Sequence, residues 1–409
     1  MADFGGSDLD AFRAQTREWL EANFPASLRR DASAVTDAEQ TGAKLAGDAA
    51  LWKQRMGEAG LGVPTWPKAY GGAGLGRAEA KVLAEEMAAI GAPNPIGGMG
   101  VIMFGPTLLE YGNEDQLRRH IPPIVKGELR WCQGFSEPGA GSDLASLQTK
   151  AVDMGDHYLV NGSKIWTSGA HLADWCFCLV RTDTTKKHEG ISFLLIDMRS
   201  PGVEARPILL INGTTPFCET FFTDVKVPKE NLMGPLNGGW TLAKRLLQHE
   251  RQGISGAGQT TTGAQAGSVP GPTLNVLARD YLGVDEDGVL ADTDLRTRLT
   301  RHLMEAQAFQ LTGMRAAAET RSNSGPSAVS SVLKNVGSQV RQERAELAVE
   351  ILGAQGLGWA GEAYSADELG TTRAWLRGKS GTIAGGSQEI QNNIISKRIL
   401  GLPEITQAR

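Results

Sequence analysis

The hydrophobic period changes twice along this chain, and few folds can accommodate both changes. Up to about residue 128 apolar residues recur at helical spacing. "SDLDAFRAQTREWLEANF" does so behind Ser7 or Asp8 as the capping residue, and "AEAKVLAEEMAAIG" does so and stops on Gly91. The breaker-rich "WPKAYGGAGLG" separates them. From residue 129 the pattern shortens and alternates. "DHYLVNGSKIWTSGA" predicts two short strands joined as a hairpin at Asn161-Gly162, and "ADWCFCLVRTD", "GISFLLIDM" and "CETFFTDVKVP" predict further strands. This β region, a small barrel or sandwich, ends near Pro235. The helical period returns at Gly238, with two runs long enough for a bundle, "LRTRLTRHLMEAQAFQLTGMRAAAETR" and "AVSSVLKNVGSQVRQERAELAVEILGA". The small-residue stretch "GISGAGQTTTGAQAGSVPGP", 253–272, predicts a flexible loop. The expected fold is mainly α with a central β domain: a helical domain over 1–128, a β domain over 129–237 and a helical bundle over 238–409.

Composition excludes several functions. With 409 residues, 41% hydrophobic and 21% charged, the chain can bury real cores and has the balance of an ordinary globular protein. A net charge of −5 argues against nucleic acid as the main partner. The N-terminus lacks a basic segment and an apolar core, so no signal peptide is expected, and no apolar run is long enough to span a bilayer. Cys132, Cys176, Cys178 and Cys218 form no CxxC pair and have no histidine cluster nearby, so no metal is expected. They read as small apolar residues in a reduced cytoplasm.

Several familiar signatures fail on spacing. "GKS" at 378–380 has Arg373 where a P-loop needs glycine, "GISGAG" at 253–258 misses the nucleophile-elbow spacing, and no GxGxxG follows a strand and opens a helix. Two stretches survive. In "IAGGSQEIQNN", 383–393, two glycines precede a helix that Ser387 can cap, with Glu389 in its first turn. In "GFSEPGAGSDLAS", 134–146, a Gly/Pro-rich turn offers hydroxyls and free backbone N–H groups to carbonyl or phosphate oxygens.

"FSEPGAGSD" resembles the signature loop of acyl-CoA dehydrogenases, and further markers stand in family order. These are "WPKAYGGAG" at 66–74, "NGSKIWTSGA" at 161–170, "AVEILGAQGLG" at 348–358 and "GGSQEIQ" at 385–391. The resemblance covers nearly the whole chain and is weakest across 256–290. It implies the family fold, an N-terminal helical domain, a middle β-barrel and a C-terminal four-helix bundle, with FAD held in extended form between the last two. It places Gln133, Phe135, Ser136 and Ser142 along the isoalloxazine or pyrophosphate, with Ser142 also near substrate. Trp166, Thr167 and Ser168 would cover the flavin; by itself Trp166 also reads as a core aromatic. Glu350, Gly353 and Gln355 fall where a neighbouring subunit grips the adenosine half, and Ser387 and Glu389 would reach the same cofactor. The sequence departs from the family in two places: its Arg-x-x-Phe-Gly segment is only echoed by "RDYLG" at 279–283, and Glu350 replaces a common glutamine.

Many members carry a catalytic glutamate before the second glycine of the closing motif. Here that position is Gly385, and Ala384 precedes it in place of a bulky aromatic. In "GGWTLAKRLLQHERQG" the residues Trp240, Leu242, Ala243, Leu246 and Leu247 form one helical arc, and Glu250 falls in its middle. Burial there would raise the carboxyl pKa and make it a better base. Geometry alone leaves a second reading open, a buried structural ion pair. The resemblance favours the base, because isovaleryl- and long-chain-type members carry theirs on this helix and keep a small residue at the position of Gly385. It further implies that Arg251 contacts the pantetheine arm, that Ala384 lies beside the acyl chain, and that the N–H of Gly385 polarises the thioester carbonyl.

The expected activity is FAD-dependent dehydrogenation of an acyl-CoA to a trans-2-enoyl-CoA in acyl-CoA catabolism, with electrons passed to an electron-transfer flavoprotein. "RTDTTKKHEGISFLLIDMRSPGVEARPI" looks closest to bacterial members such as large subunits of pimeloyl-CoA-type dehydrogenases. The chain would then be a homo-oligomer, dimer or tetramer, or an α2β2 heterotetramer with a related subunit. The rival readings are a flavin monooxygenase on the same fold and a non-catalytic partner subunit.

Overall fold

The computed structural model describes residues 8–255, 273–320 and 329–403, and the side chains of these except at 39–41, 250–255 and 317–320. The described chain forms two compact units. One holds the chain through Ile208 and Thr215–His249; the other holds Leu209–Thr214 and the chain from Glu250 on.

The first unit opens with six helices: α1 (Leu9–Asn23), α2 (Ser33–Thr41), α3 (Gly47–Glu58), α4 (Arg77–Ala89), α5 (Gly105–Tyr111) and α6 (Glu114–Val125). Asp8 caps α1 by accepting from the N–H groups of Asp10 and Ala11, and Phe12, Thr16 and Leu20 form its buried stripe. Arg13 and Arg17 of α1 converge on buried Glu86 of α4 at 2.5 Å each. One turn of π-helix, Gly100–Phe104, leads into α5. A Cβ at Gly105 would lie 2.0 Å from the Trp66 ring, so only glycine lets that indole into the core.

Eight strands follow: β1 (Trp131–Gly134), β2 (Lys150–Asp153), β3 (His157–Ser168), β4 (Trp175–Arg181), β5 (Ile191–Asp197), β6 (Val203–Ile208), β7 (Phe217–Pro228) and β8 (Leu232–Met233). They make one sheet in the order β6-β7-β3-β2-β4-β5-β8, with β1 parallel to β4. Strand alternation splits the aromatic and thiol residues between two cores. Phe177 stacks on Phe104 and on Phe193 in the core shared with the helices. Cys132, Cys176, Cys178 and Cys218, all free thiols, fill the other core with Val160 and Ile196. The helix α7 (Gly239–Ser255) then lays Leu242, Ala243 and Leu246 into the first core.

The hairpin expected at Asn161-Gly162 is not there. Residues 157–168 form one strand whose register slips between Val160 and Gly162 and again between Lys164 and Thr167. A Cβ at Gly162 would lie 2.7 Å from the Thr149 Cα, so the glycine serves a bulge under close backbone approach, not a turn. The loop expected at 253–272 is corrected in part: 253–255 belong to α7, and the remainder lies outside the described residues.

The second unit contains α8 (Leu274–Leu282), α9 (Thr293–Thr320), α10 (Val329–Leu352), α11 (Ala366–Gly378) and α12 (Gln388–Arg398). The central helix is α10, against which α8, α9, α11 and α12 all pack. No helix among the described residues is long and apolar enough to cross a membrane.

In the first unit His120 of α6 is 1% exposed, edge-on to Trp131 and Trp175, and neither ring nitrogen has a hydrogen-bond partner. Burial, with a smaller push from Arg119, lowers its pKa from 6.5 to about 4. A depressed folded-state value means that its stabilising contribution is complete above 6.5 and is lost as pH falls toward 4. Lowering the pH from about 7.5 to about 5 should therefore cost the parent about 2 kcal/mol more unfolding free energy than it costs His120→Phe. Urea unfolding at the two pH values measures the difference; equal losses in both proteins would contradict it.

Candidate active site

The loop after β1 is held from inside. Lys164, wholly buried on β3, places its ammonium 2.7 Å from the Glu137 carboxylate and 3.1 Å from the Phe135 carbonyl oxygen. Glu137 also accepts from the backbone N–H groups of Gln148 at 2.6 Å and Thr149 at 2.9 Å. Burial pushes its carboxyl pKa up, but Lys164 and these donors outweigh that and hold it below the usual carboxylate range. The Ser136 carbonyl accepts from the Ile165 N–H at 2.8 Å, completing the seam between loop and strand. Arg181 fixes the loop's far end by donating to the carbonyls of Ala145 at 2.6 Å and Leu147 at 3.3 Å.

What this loop presents outward is backbone and hydroxyl. Phe135 is 4% exposed and its ring belongs to the core, whereas Gln133 and Ser136 are half-buried and Ser142 is exposed. The N–H groups of Gly141 and Ser142 meet no acceptor among the described residues. At the end of β3, Trp166 sits at φ +60° with its indole 54% exposed and edge-on to Phe217. A non-glycine residue in that region stores roughly 1–2 kcal/mol of strain, which the surrounding sheet must maintain. Ser168 is half-buried beside it, but the Thr167 side chain is buried, with its hydroxyl unpartnered. The resemblance implies that Phe135 and Thr167 lie along the flavin; the structure turns both side chains inward, which leaves their backbone groups for such a contact.

A second cluster lies in the other unit, at the start of α12. Gly385 and Gly386 both have positive φ, +67° and +94°. Ser387 caps the helix, accepting from the Ile390 N–H, and Gln391 donates to the Gly385 carbonyl at 2.8 Å. The Gly385 N–H meets no acceptor among the described residues, and Ala384 beside it is exposed. Glu389 is exposed; its own backbone N–H and Ser387 hold its carboxyl below the usual range, which makes it a weak base. Glu350 on α10 forms a two-pronged ion pair with Arg298 of α9, which also pairs with Asp294 at 3.0 Å. The carboxylate at 350 thus has a partner that a glutamine would not need. Gly353, at φ +54°, and Gln355 lie in the short turn after α10. Glu250 and Arg251 lie within α7, Glu250 on the helical register of Ala243 and Leu246, but their side chains are outside the described residues.

Sequence comparison decides what these clusters belong to. Models for the N-terminal, middle and C-terminal domains of acyl-CoA dehydrogenase match residues 7–128, 132–225 and 237–400. Acyl-CoA dehydrogenase IpdE1 of Mycobacterium tuberculosis is 37% identical over 403 residues, covering 97% of this chain and 98% of the relative. The chain belongs to the acyl-CoA dehydrogenase family.

Its activity class and cofactor follow: it is an oxidoreductase acting on acyl-CoA, with FAD as cofactor. Solved structures agree on the three-domain fold. The Tcur3481-Tcur3483 steroid ACAD aligns over 98% of this chain and 100% of that one, with a TM-score of 0.73 and 30% identity. The ChsE4-ChsE5 complex from Mycobacterium tuberculosis aligns over 99% and 100%, with a TM-score of 0.71 and 30% identity. The residues of this dehydrogenase suit such a cofactor. The open N–H groups at Gly141 and Ser142 match phosphate oxygens, and the Trp166 indole offers a flat apolar face.

Glu137 and Lys164 were missed as functional residues although both stand inside motifs singled out by sequence. The available signal was parity: Lys164 occupies a position that strand alternation assigns to the interior. Removing one partner should strand a buried charge, so Lys164→Met should destabilise the first unit by about 3–5 kcal/mol. Glu137→Gln combined with Lys164→Met should recover at least half of that loss in denaturant unfolding. A single variant as stable as the parent would contradict a buried, ionised pair.

Proposed function

We propose that this protein dehydrogenates the CoA thioester of a bulky, branched or ring-bearing acyl group at its α and β carbons, giving a trans-2-enoyl-CoA. The observation that carries the reading is the Gly385 position. Where many relatives keep a glutamate, the chain has a glycine with an open N–H, while α7 supplies a carboxylate, Glu250, on the register of Ala243 and Leu246. In this reading Glu250 takes the α-proton, and the Gly385 N–H donates to the thioester oxygen as negative charge develops there. FAD, when bound, supplies the hydride acceptor for the β carbon. Gln133, Ser136, Ser142, Trp166 and Ser168, with the backbone at Phe135 and Thr167, would line the flavin. Arg251 would meet the pantetheine arm. A neighbouring subunit would reach the adenosine half through Glu350, Gly353 and Gln355.

The bulky substrate is supported by the missing side-chain volume at Ala384 and Gly385, and by likeness to a protein described as a steroid ACAD. Likeness to the ChsE4-ChsE5 complex supports pairing with a related subunit in a heterotetramer. An electron-transfer flavoprotein would reoxidise the enzyme.

The Glu250→Gln variant keeps the size of the side chain and removes its proton acceptor. It should retain FAD and acyl-CoA binding while flavin reduction in stopped flow falls by about 10²–10⁴-fold. Reduction at the parental rate would rule out Glu250 as the base. In the same assay ring-bearing and branched thioesters should reduce the parent flavin faster than butyryl-CoA, and a sharp preference for butyryl-CoA would reject the bulky-substrate reading.

A further inference from the structure

Lys334 of α10 is 1% exposed, and its only hydrogen-bond acceptor among the described residues is the carbonyl oxygen of Gly386. No carboxylate among the described residues bonds to it. Burial, with a smaller contribution from Arg341, pushes its pKa down, and Glu389 opposes them. A buried ammonium that lacks an ion-pair partner is costly to keep, so the contact it makes calls for an explanation in function.

The contact belongs to a larger arrangement. On α10, Lys334, Ser338 and Gln342 follow each other at four-residue spacing and face the segment 378–386. Gln342 donates to the carbonyls of Gly378 and Lys379 at 3.1 Å each, and a Cβ at Gly381 would touch the Ser338 Cβ. The segment ends in two successive glycines with positive φ, where no Cβ resists rotation of the peptide planes. A flip there would turn a carbonyl toward the place where an N–H is needed. Three tethers oppose it. The Ala384 N–H donates to the Ser380 carbonyl at 2.9 Å, Gln391 holds the Gly385 carbonyl at 2.8 Å, and Lys334 holds the Gly386 carbonyl. Between the first two tethers the Gly385 N–H meets no acceptor among the described residues.

We propose that Lys334 is a positioning residue for thioester activation: by anchoring the Gly386 carbonyl inside the second unit, it keeps the diglycine turn in the conformer that offers the Gly385 N–H to the substrate carbonyl. The inference rests on the reading of Gly385 given above.

The test uses the FAD-loaded enzyme, Lys334→Met, Lys334→Gln and Lys334→Arg. The probe is a carbon-13 carbonyl-labelled 2-enoyl-CoA, observed by difference infrared spectroscopy. Bound to the parent, its carbonyl stretch should move to lower frequency. In Lys334→Met and Lys334→Gln most of that shift should vanish and flavin reduction should fall by about 10–10²-fold, somewhat less than removal of an oxyanion donor itself. FAD content and enoyl-CoA affinity should stay within about threefold, and Lys334→Arg should restore part of the shift. A shift that survives in either folded neutral variant overturns the role of Lys334 alone. A parent that shows no shift overturns the Gly385 reading, and Lys334 falls with it. If neither neutral variant folds, Lys334 is a structural residue and the inference is rejected.

Discussion

The Glu137–Lys164 ion pair is the interaction on which the first unit's working surface depends. A wholly buried ammonium and an 8% exposed carboxylate meet at 2.7 Å, and between them they hold three pieces of chain: the loop at Phe135, the two residues before β2, Gln148 and Thr149, and β3 itself. The pair satisfies these groups from inside, while the N–H groups of Gly141 and Ser142 meet no acceptor among the described residues. The same strand brings Trp166 to the surface in a strained backbone conformation, within the register slip between Lys164 and Thr167. Sheet, loop and aromatic face are thus one construction with a charged centre.

The second unit repeats the device with a different chemistry. Its buried ammonium, Lys334, binds the Gly386 carbonyl directly, with no carboxylate partner among the described residues, in a turn of two glycines with positive φ. In both units a buried lysine side chain holds a backbone carbonyl in place. A backbone N–H has no pKa near neutrality and no rotamers, so directing it requires only that its peptide plane be held.

The periodic features were legible in the sequence. The stripe Phe12–Thr16–Leu20 and the arc of Leu242, Ala243 and Leu246 are buried as helical spacing predicts. The capping role of Ser387 was readable because caps are local chemistry. Other features depended on partners distant in sequence. Asn161-Gly162 reads as a turn until Thr149, just before β2, approaches the glycine. The partners of Lys164 and Lys334 are Glu137 and the Gly386 carbonyl, 27 and 52 residues away, so neither contact is visible locally. Phe135 and Thr167 sit in motifs that mark a ligand, yet motif membership does not say which way a side chain turns. The side chain of Glu250 lies outside the described residues, so its role rests on its helical register and on the family.

The account as a whole stands or falls on what leaves the substrate. Anaerobic mixing of the FAD-loaded protein with a ring-bearing acyl-CoA, followed by mass analysis of the thioester, reads this directly. The account predicts bleaching of the oxidised flavin and a product lighter by two hydrogens, with no oxygen required. A thioester that stays intact until air is admitted and then gains an oxygen atom would contradict it, and would mark the chain as a monooxygenase built on the same fold.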